Sequence, residues 1–245
     1  MTIKKYIPNI ITSLNLISGL IAITLIFDKN FLMAGVLIVI AAVFDFLDGM
    51  AARLLDARSE FGKQLDSLAD VVSFGVAPGL LIFQMISIHC AGSCNILEKS
   101  GIAPYFALLI PLCAALRLAK FNIDIRQEEH FIGLPTPANA LFFASVPLVI
   151  FLQPDLFSII PLDFMTVFFS NTRVLAMLAV FFSYLMISDF QLFSMKFKTM
   201  SWKGNEARYI FIILSVLLVI LFSLSAVPLI ILAYLILSMG FQKKI

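Results

Sequence analysis

Residues 31–88 read FLMAGVLIVIAAVFDFLDGMAARLLDARSEFGKQLDSLADVVSFGVAPGLLIFQMISI, two apolar runs joined by a short charged turn. Each run is near the roughly 20 residues that cross a bilayer as helix. Neither has the charged face that a helix on the surface of a soluble domain carries, and only lipid solvates a helix that is apolar all round. Acids nevertheless enter both runs, at Asp45 and Asp48 in the first and Asp66 and Asp70 in the second. This pair of runs decides the fold class, and the acids inside it point to function.

The rest of the chain follows the same rule. Of 245 residues, 61% are hydrophobic and only 13% charged, with a mean hydropathy of +1.04; an average soluble domain carries about a quarter charged residues. The sequence predicts an all-α, polytopic transmembrane bundle of about eight spans, near 8–27, 31–54, 63–88, 102–120, 137–153, 173–189, 208–224 and 227–241. With the N-terminus inside, 14 of the 17 Lys and Arg fall in cytoplasmic segments, and only Lys29, Lys99 and Arg173 lie outside. That asymmetry predicts both termini in the cytoplasm of a cell whose inner or plasma membrane holds the protein. The apolar run after MTIKKY has no small-residue cleavage site behind it, so it reads as the first span. A net charge of +2 is too small to suggest nucleic acid as a partner.

A single membrane domain is expected, with no soluble appendage: the longest polar stretches, NIDIRQEEHFIGLPTP and KFKTMSWKGNEAR, are too short to fold alone. Tyr6, Tyr184, Trp202 and Tyr209 sit near span ends, where aromatic side chains anchor at the interface. Cys90 and Cys94 share an outer loop in which a disulfide is compatible with an oxidising compartment; Cys113 reads as core.

Asp45 and Asp48 stand three residues apart, and Gly62, Asp66 and Asp70 recur every four, so each set occupies one helix face. Two antiparallel helices joined by a short turn bring both sets together. Gly49, Ala51 and Ala52 keep bulk low beside them. Carboxylates gathered in a partly dehydrated site repel one another unless cations, protons or ion pairs compensate. Oxygen ligands suit Mg²⁺, Mn²⁺ or Ca²⁺, and two such ions would clamp a pyrophosphate. Arg53 is placed to neutralise phosphate oxygens, with Lys63 nearby. Helix capping or pairing with Arg58 explains Asp56 and Glu60 in the solvated turn, but not three same-face acids entering apolar helix. At this level a phosphotransferase and a cation transporter both remain open.

The stretch from Asp45 to Asp70 fits D-x2-D-G-x2-A-R-x8-G-x3-D-x3-D without a departure, through Asp45, Asp48, Gly49, Ala52, Arg53, Gly62, Asp66 and Asp70. This pattern resembles the signature of the CDP-alcohol phosphatidyltransferases. The resemblance implies a six-span helical core, here about residues 8–190 with two further spans at about 208–241, and commonly a homodimer. It implies that a phosphatidyl group moves from a CDP-lipid to an alcohol with release of CMP. Asp45, Asp48 and Asp66 would bind metal (Mg²⁺ or Mn²⁺, two per site), with Asp70 close enough to contribute and favoured as general base. Asp48, Gly49, Ala52, Arg53, Gly62 and Lys63 would line the CDP-lipid side, with Asn9 and Thr12 as further nucleotide contacts.

Three more stretches, PNIITSLNLISG from Pro8, RLAKFN from Arg117 and GLPTPANA from Gly133, are similar to the phosphatidylserine synthase branch of that family. The branch implies CDP-diacylglycerol and L-serine as substrates. Arg117 and Lys120 would then meet the serine carboxylate, and Asn122 and Thr136 would orient the amino acid. Glycerol 3-phosphate, inositol phosphate and choline are the alternative acceptors. Anchoring of the cytoplasmic boundary is the competing role for Arg117, Lys120 and Arg126.

Overall fold

The computed structural model describes residues 6–90, 101–123, 131–151, 163–192 and 205–241. Arg126, Cys94 and Trp202 lie outside them, and with Cys94 so does the question of a disulfide to Cys90. The described chain is almost wholly helical. Helices α1 (Ile7–Phe27) and α2 (Phe31–Leu54) form a hairpin. Its turn uses Lys29 at φ 61° and Asn30, whose side chain accepts a hydrogen bond from the Met33 backbone N–H at 3.3 Å. Next come α3 (Glu60–Asp70), a π-helical segment (Val71–Val76) and α4 (Ala77–Cys90). A 3₁₀ turn (Ala103–Leu108) leads into α5 (Leu109–Ile123), followed by α6 (Thr136–Phe151), α7 (Asp163–Ser170), α8 (Thr172–Ile187), α9 (Glu206–Phe222) and α10 (Ala226–Phe241).

Four continuous helical stretches are long and apolar enough to span a membrane: Ile7–Phe27, Phe31–Leu54, Glu60–Ile88 and Ala103–Ile123. The protein is therefore an integral, polytopic membrane protein. Of the remaining expected spans, α6 and α10 are each 16 residues, α9 is 17, and α8 joins α7 at a bend of 79°. Helices occur at all eight expected positions, and four of the eight reach full spanning length among the described residues.

The burial pattern of α1 shows why lipid is its solvent. Its buried stripe is Pro8, Thr12, Asn15, Ser18, Gly19, Ala22 and Ile26, whereas Ile10, Leu14, Ile17, Leu20 and Ile21 are exposed. Small and polar groups face the protein and bulky apolar ones face outward, the reverse of a soluble helix. Small residues let helix backbones approach, and buried polar groups find partners in neighbouring helices. Gly19 marks the closest approach of α1 to the π-helical segment, since a Cβ there would lie 2.9 Å from the Ser73 Cα.

Two short strands pair antiparallel, β1 (Phe131–Ile132) with β2 (Gln191–Leu192), a feature absent from the sequence reading. Gly133 follows at φ 74° and donates its N–H to the Phe190 carbonyl at 2.9 Å; Leu134 donates to Leu185 at 3.0 Å. A side chain at position 133 would meet the Met186 carbonyl at 2.5 Å, so glycine satisfies both the left-handed turn and the close contact. This clamp fixes the entry of α6 against the exit of α8.

Candidate functional site

Three helices build the site. From α1, Asn9, Thr12 and Asn15 recur at three-residue spacing and turn toward α2 and α3. α2 contributes Asp45 and Asp48 near its end, and α3 contributes Gly62, Asp66 and Asp70. Ser59 starts α3 as its N-cap, accepting the Gly62 backbone N–H at 3.0 Å, which fixes the helix register within the first turn. Gly62 packs closely beside it: a Cβ there would stand 2.9 Å from Asn9 Oδ1 and 3.1 Å from Ser59 Oγ, both of them side-chain ends.

Carboxylate oxygens of Asp45, Asp48 and Asp66 all lie within 4.8 Å of one another. Asp48 is buried, and its Oδ2 accepts a 2.6 Å hydrogen bond from Thr12 Oγ1, which also lies 3.0 Å from the Pro8 carbonyl. Asp66 Oδ1 is buried with no hydrogen-bond partner. Asp45 reaches both Asp66 and Asp70. Asp70, only 7% exposed, faces Asn15, whose Nδ2 is a long 3.4 Å from Asp70 Oδ1. The π-helical segment begins directly after Asp70, and Ser73 within it donates to the Asn15 carbonyl at 3.1 Å. Single-turn π-helical segments are frequent at functional sites; this one ties the helix carrying Asp70 to α1.

The donor set fits a hard divalent cation. Three carboxylates at this spacing offer only oxygen, and an unpartnered buried oxygen on Asp66 points to a missing ligand. Asp70, also expected among the metal residues, sits beside that trio rather than in it.

Above the acids opens a cavity of about 530 Å³, lined by Pro8, Asn9, Thr12, Asp48, Gly49, Ala52, Ala57, Arg58, Ser59, Glu60, Gly62, Lys63 and Asp66. Its size is that of a small-molecule site, and Lys63 and Arg58 supply positive charge at its wall. All but one of the residues expected on the CDP-lipid side line it. The exception is Arg53, whose Nε donates to the Gly49 carbonyl one turn back on α2 at 2.9 Å.

Sequence alone did not single out Asn15, Ser73 or Arg58. Asn15 had a readable signal, the Asn9–Thr12–Asn15 spacing of polar residues inside an apolar span. Ser73 had none, because its partner is a backbone carbonyl 58 positions away.

The residues expected around the acceptor divide in two. Arg117 is buried at 6% exposure on α5, stacked 5.9 Å from the Phe121 ring centroid, and Thr136 is buried at the start of α6. Lys120 is half exposed and forms a 2.9 Å ion pair with Asp189, while Asn122 donates to Ser67 Oγ at 2.9 Å.

A family model for the CDP-alcohol phosphatidyltransferases matches residues 5–185. The chain belongs to the CDP-alcohol phosphatidyltransferase family. The match takes in the acids, the cavity and α1 to α8 almost to its end, and leaves α9 and α10 outside. Relatives named CDP-diacylglycerol–serine O-phosphatidyltransferase are similar over somewhat more than half of the chain. That of Bacillus subtilis is 41% identical over 146 residues, 60% of this chain and 75% of the relative. That of Methanocaldococcus jannaschii is 42% identical over 141 residues, 58% of each. That of Mycobacterium bovis is 37% identical over 144 residues, 56% of this chain and 47% of the relative. The aligned stretch thus spans between about half and three quarters of these relatives.

Proposed function

We propose that the protein transfers the phosphatidyl group of CDP-diacylglycerol to the hydroxyl of L-serine, giving phosphatidylserine and CMP. The observation that carries this reading is the Asp45–Asp48–Asp66 trio, with Asp70 beside it, at the base of a nucleotide-sized cavity. Family membership and the names of the similar proteins support the choice of donor and acceptor.

In this reading the CDP moiety lies in the cavity against Asn9, Thr12, Gly49, Ala52, Gly62 and Lys63, with Arg53 swinging from the Gly49 carbonyl to meet the phosphates. The low bulk at Gly49 and Ala52 leaves room for it. Asp45, Asp48 and Asp66 would hold the divalent cations, Mg²⁺ or Mn²⁺ (two per site), which supply charge neutralisation at the pyrophosphate when bound. Thr12 holds Asp48 in one rotamer, and Asn15 does the same for Asp70. Asp70 takes the proton as the serine oxygen attacks the phosphorus that bears diacylglycerol. The new bond is serine oxygen to phosphorus, and the bond that breaks is the pyrophosphate linkage, whose electron pair leaves with CMP. No covalent intermediate on the protein is needed.

Arg117 and Thr136 form the acceptor side, with Lys120 and Asn122 at its rim. The excess of basic residues in alternate segments supports a cytoplasmic site and cytoplasmic termini in the cell membrane, and the family resemblance supports a homodimer. The test is purified protein with CDP-diacylglycerol and Mg²⁺ or Mn²⁺, offered serine, glycerol 3-phosphate, inositol phosphate and choline in turn. CMP and phosphatidylserine should form with serine. CMP release with glycerol 3-phosphate but not serine would overturn the acceptor, and ion flux in vesicles without any CMP would overturn the enzyme.

A further inference from the structure

We propose that Asn139 and Ser183, with Arg117 and Thr136, form an inner pocket that binds the carboxylate and ammonium of a free amino acid; the inference rests on the serine-acceptor reading above.

The first observation is an unusual concentration of unpartnered polar groups. Asn139 is 0% exposed, and neither its Nδ2 nor its Oδ1 has a hydrogen-bond partner. Arg117 Nε, Thr136 Oγ1 and Ser183 Oγ are likewise buried and unpartnered. Each such group destabilises the interior when it is left unsatisfied. One orphan is tolerable; four residues with orphans in one region indicate that a polar guest belongs there.

The second observation is that the three helices carrying these four residues pack against one another. Phe143, one turn beyond Asn139 on α6, packs edge-on against Phe182 of α8 at 5.7 Å between centroids, and Phe142 stacks on the same ring at 4.1 Å. Toward the start of α6, Leu134 bonds to Leu185. Thr136 and Asn139 therefore lie between those two anchors on α6, as Ser183 does on α8. α5 packs along α8, and Arg117 lies on its buried face one turn beyond Cys113. α5 also packs against the π-helical segment that directly follows Asp70, which sets this corner of α5, α6 and α8 on the side of the proposed base.

The chemistry of the set matches a zwitterion. Arg117 Nε and Asn139 Nδ2 donate, which suits a carboxylate; Asn139 Oδ1 and the two hydroxyls accept, which suits an ammonium. An acceptor held so would present its own hydroxyl toward Asp70. A phosphorylated polyol would instead need more positive charge than one guanidinium supplies.

The experiment compares wild type, Asn139→Ala, Asn139→Asp and Ser183→Ala, measuring CMP release as serine and CDP-diacylglycerol are varied separately. Serine-induced thermal stabilisation in detergent, without CDP-lipid, gives a readout independent of turnover. The KM for serine should rise roughly 10- to 100-fold in Asn139→Ala, with the KM for CDP-diacylglycerol within about twofold, and serine should no longer stabilise that variant. Asn139→Asp, equal in size, tests the same contact should the alanine variant fold poorly, and it should also lose serine affinity because it sets a carboxylate against the serine carboxylate. Unchanged serine KM in a folded Asn139 variant and in Ser183→Ala overturns the pocket while leaving the serine transferase reading intact. A wild type that uses another acceptor and ignores serine overturns both.

Discussion

Gly19→Ala is the sharpest test of how the bundle holds Asp70. A single added methyl on α1 would sit 2.9 Å from Ser73 Cα and 3.0 Å from Ser73 Cβ, and closer still to Ser73 Oγ. Carbon atoms in contact settle at about 3.5–4.0 Å. The Oγ can rotate away, but the Cα belongs to the backbone of the π-helical segment, so α1 and that segment must part by about 0.6–1.1 Å. Overpacking of this kind costs about 1–3 kcal/mol, against a helix-propensity gain of about 1 kcal/mol for replacing glycine. The net effect on stability is therefore modest, up to about 2 kcal/mol. Function suffers more. Ser73 loses its 3.1 Å bond to the Asn15 carbonyl, and Asn15 is the residue facing Asp70. Displacing a catalytic group by about 1 Å can cost on the order of 100-fold in rate. The assay is CMP release alongside thermal unfolding in detergent, with Gly240→Ala as control, since a Cβ at Gly240 meets nothing within 4 Å. The expected outcome is a drop in kcat of at least about tenfold with the chain still folded. Wild-type kcat in Gly19→Ala would refute the linkage from α1 through Ser73 to Asp70.

Four further outcomes follow from the site. Asp70→Asn should abolish turnover while equilibrium binding of CDP-diacylglycerol survives, and near-normal CMP release would remove Asp70 from the role of base. Thr12→Val removes the 2.6 Å hydrogen bond to Asp48; bonds to charged groups contribute about 1.5–3 kcal/mol, so the metal concentration for half-maximal activity should rise by roughly 10-fold or more. Chelation should stop CMP release, and Mg²⁺ or Mn²⁺ should restore it; activity that persists in chelator would argue against the trio as a cation site. Lys120 can meet serine only by leaving Asp189, so Lys120→Ala should raise the serine KM and Asp189→Asn lower it, with stability changed by less than about 1 kcal/mol because the pair is exposed. An equal effect of Lys120→Ala on both substrates would place it outside acceptor recognition.

The π-helical segment after Asp70 bears on how the acids are held. Asp66 and Asp70 stack one turn apart on the same face of α3, and an unbroken α-helix would carry that register on into α4. The wider turn over Val71–Val76 resets the face that follows, so that Ser73 reaches α1 while Asp66 still meets Asp45 and Asp48. The three carboxylates and the fourth are thus held by different neighbours. Asp48 is fixed by Thr12, and Asp70 faces Asn15.

Much of this protein was legible before folding, and for a physical reason. Lipid enforces helix on every apolar run, because no other local structure satisfies the backbone there; hence helices fell at each expected position, α2 at its expected bounds of 31–54. The helix period then placed Asp45 with Asp48 and Asp66 with Asp70, and a short turn made the two pairs meet. What sequence could not decide is whatever depends on contacts distant in the chain. Asn15 and Ser73 join only when α1 docks on the π-helical segment. Lys120 is drawn to Asp189 and Asn122 to Ser67 across gaps of 69 and 55 residues. The clamp of Gly133 and Leu134 onto Phe190 and Leu185 likewise joins segments far apart in the chain. Local periodicity sets which face a residue occupies; only the packing of helices sets what that face meets.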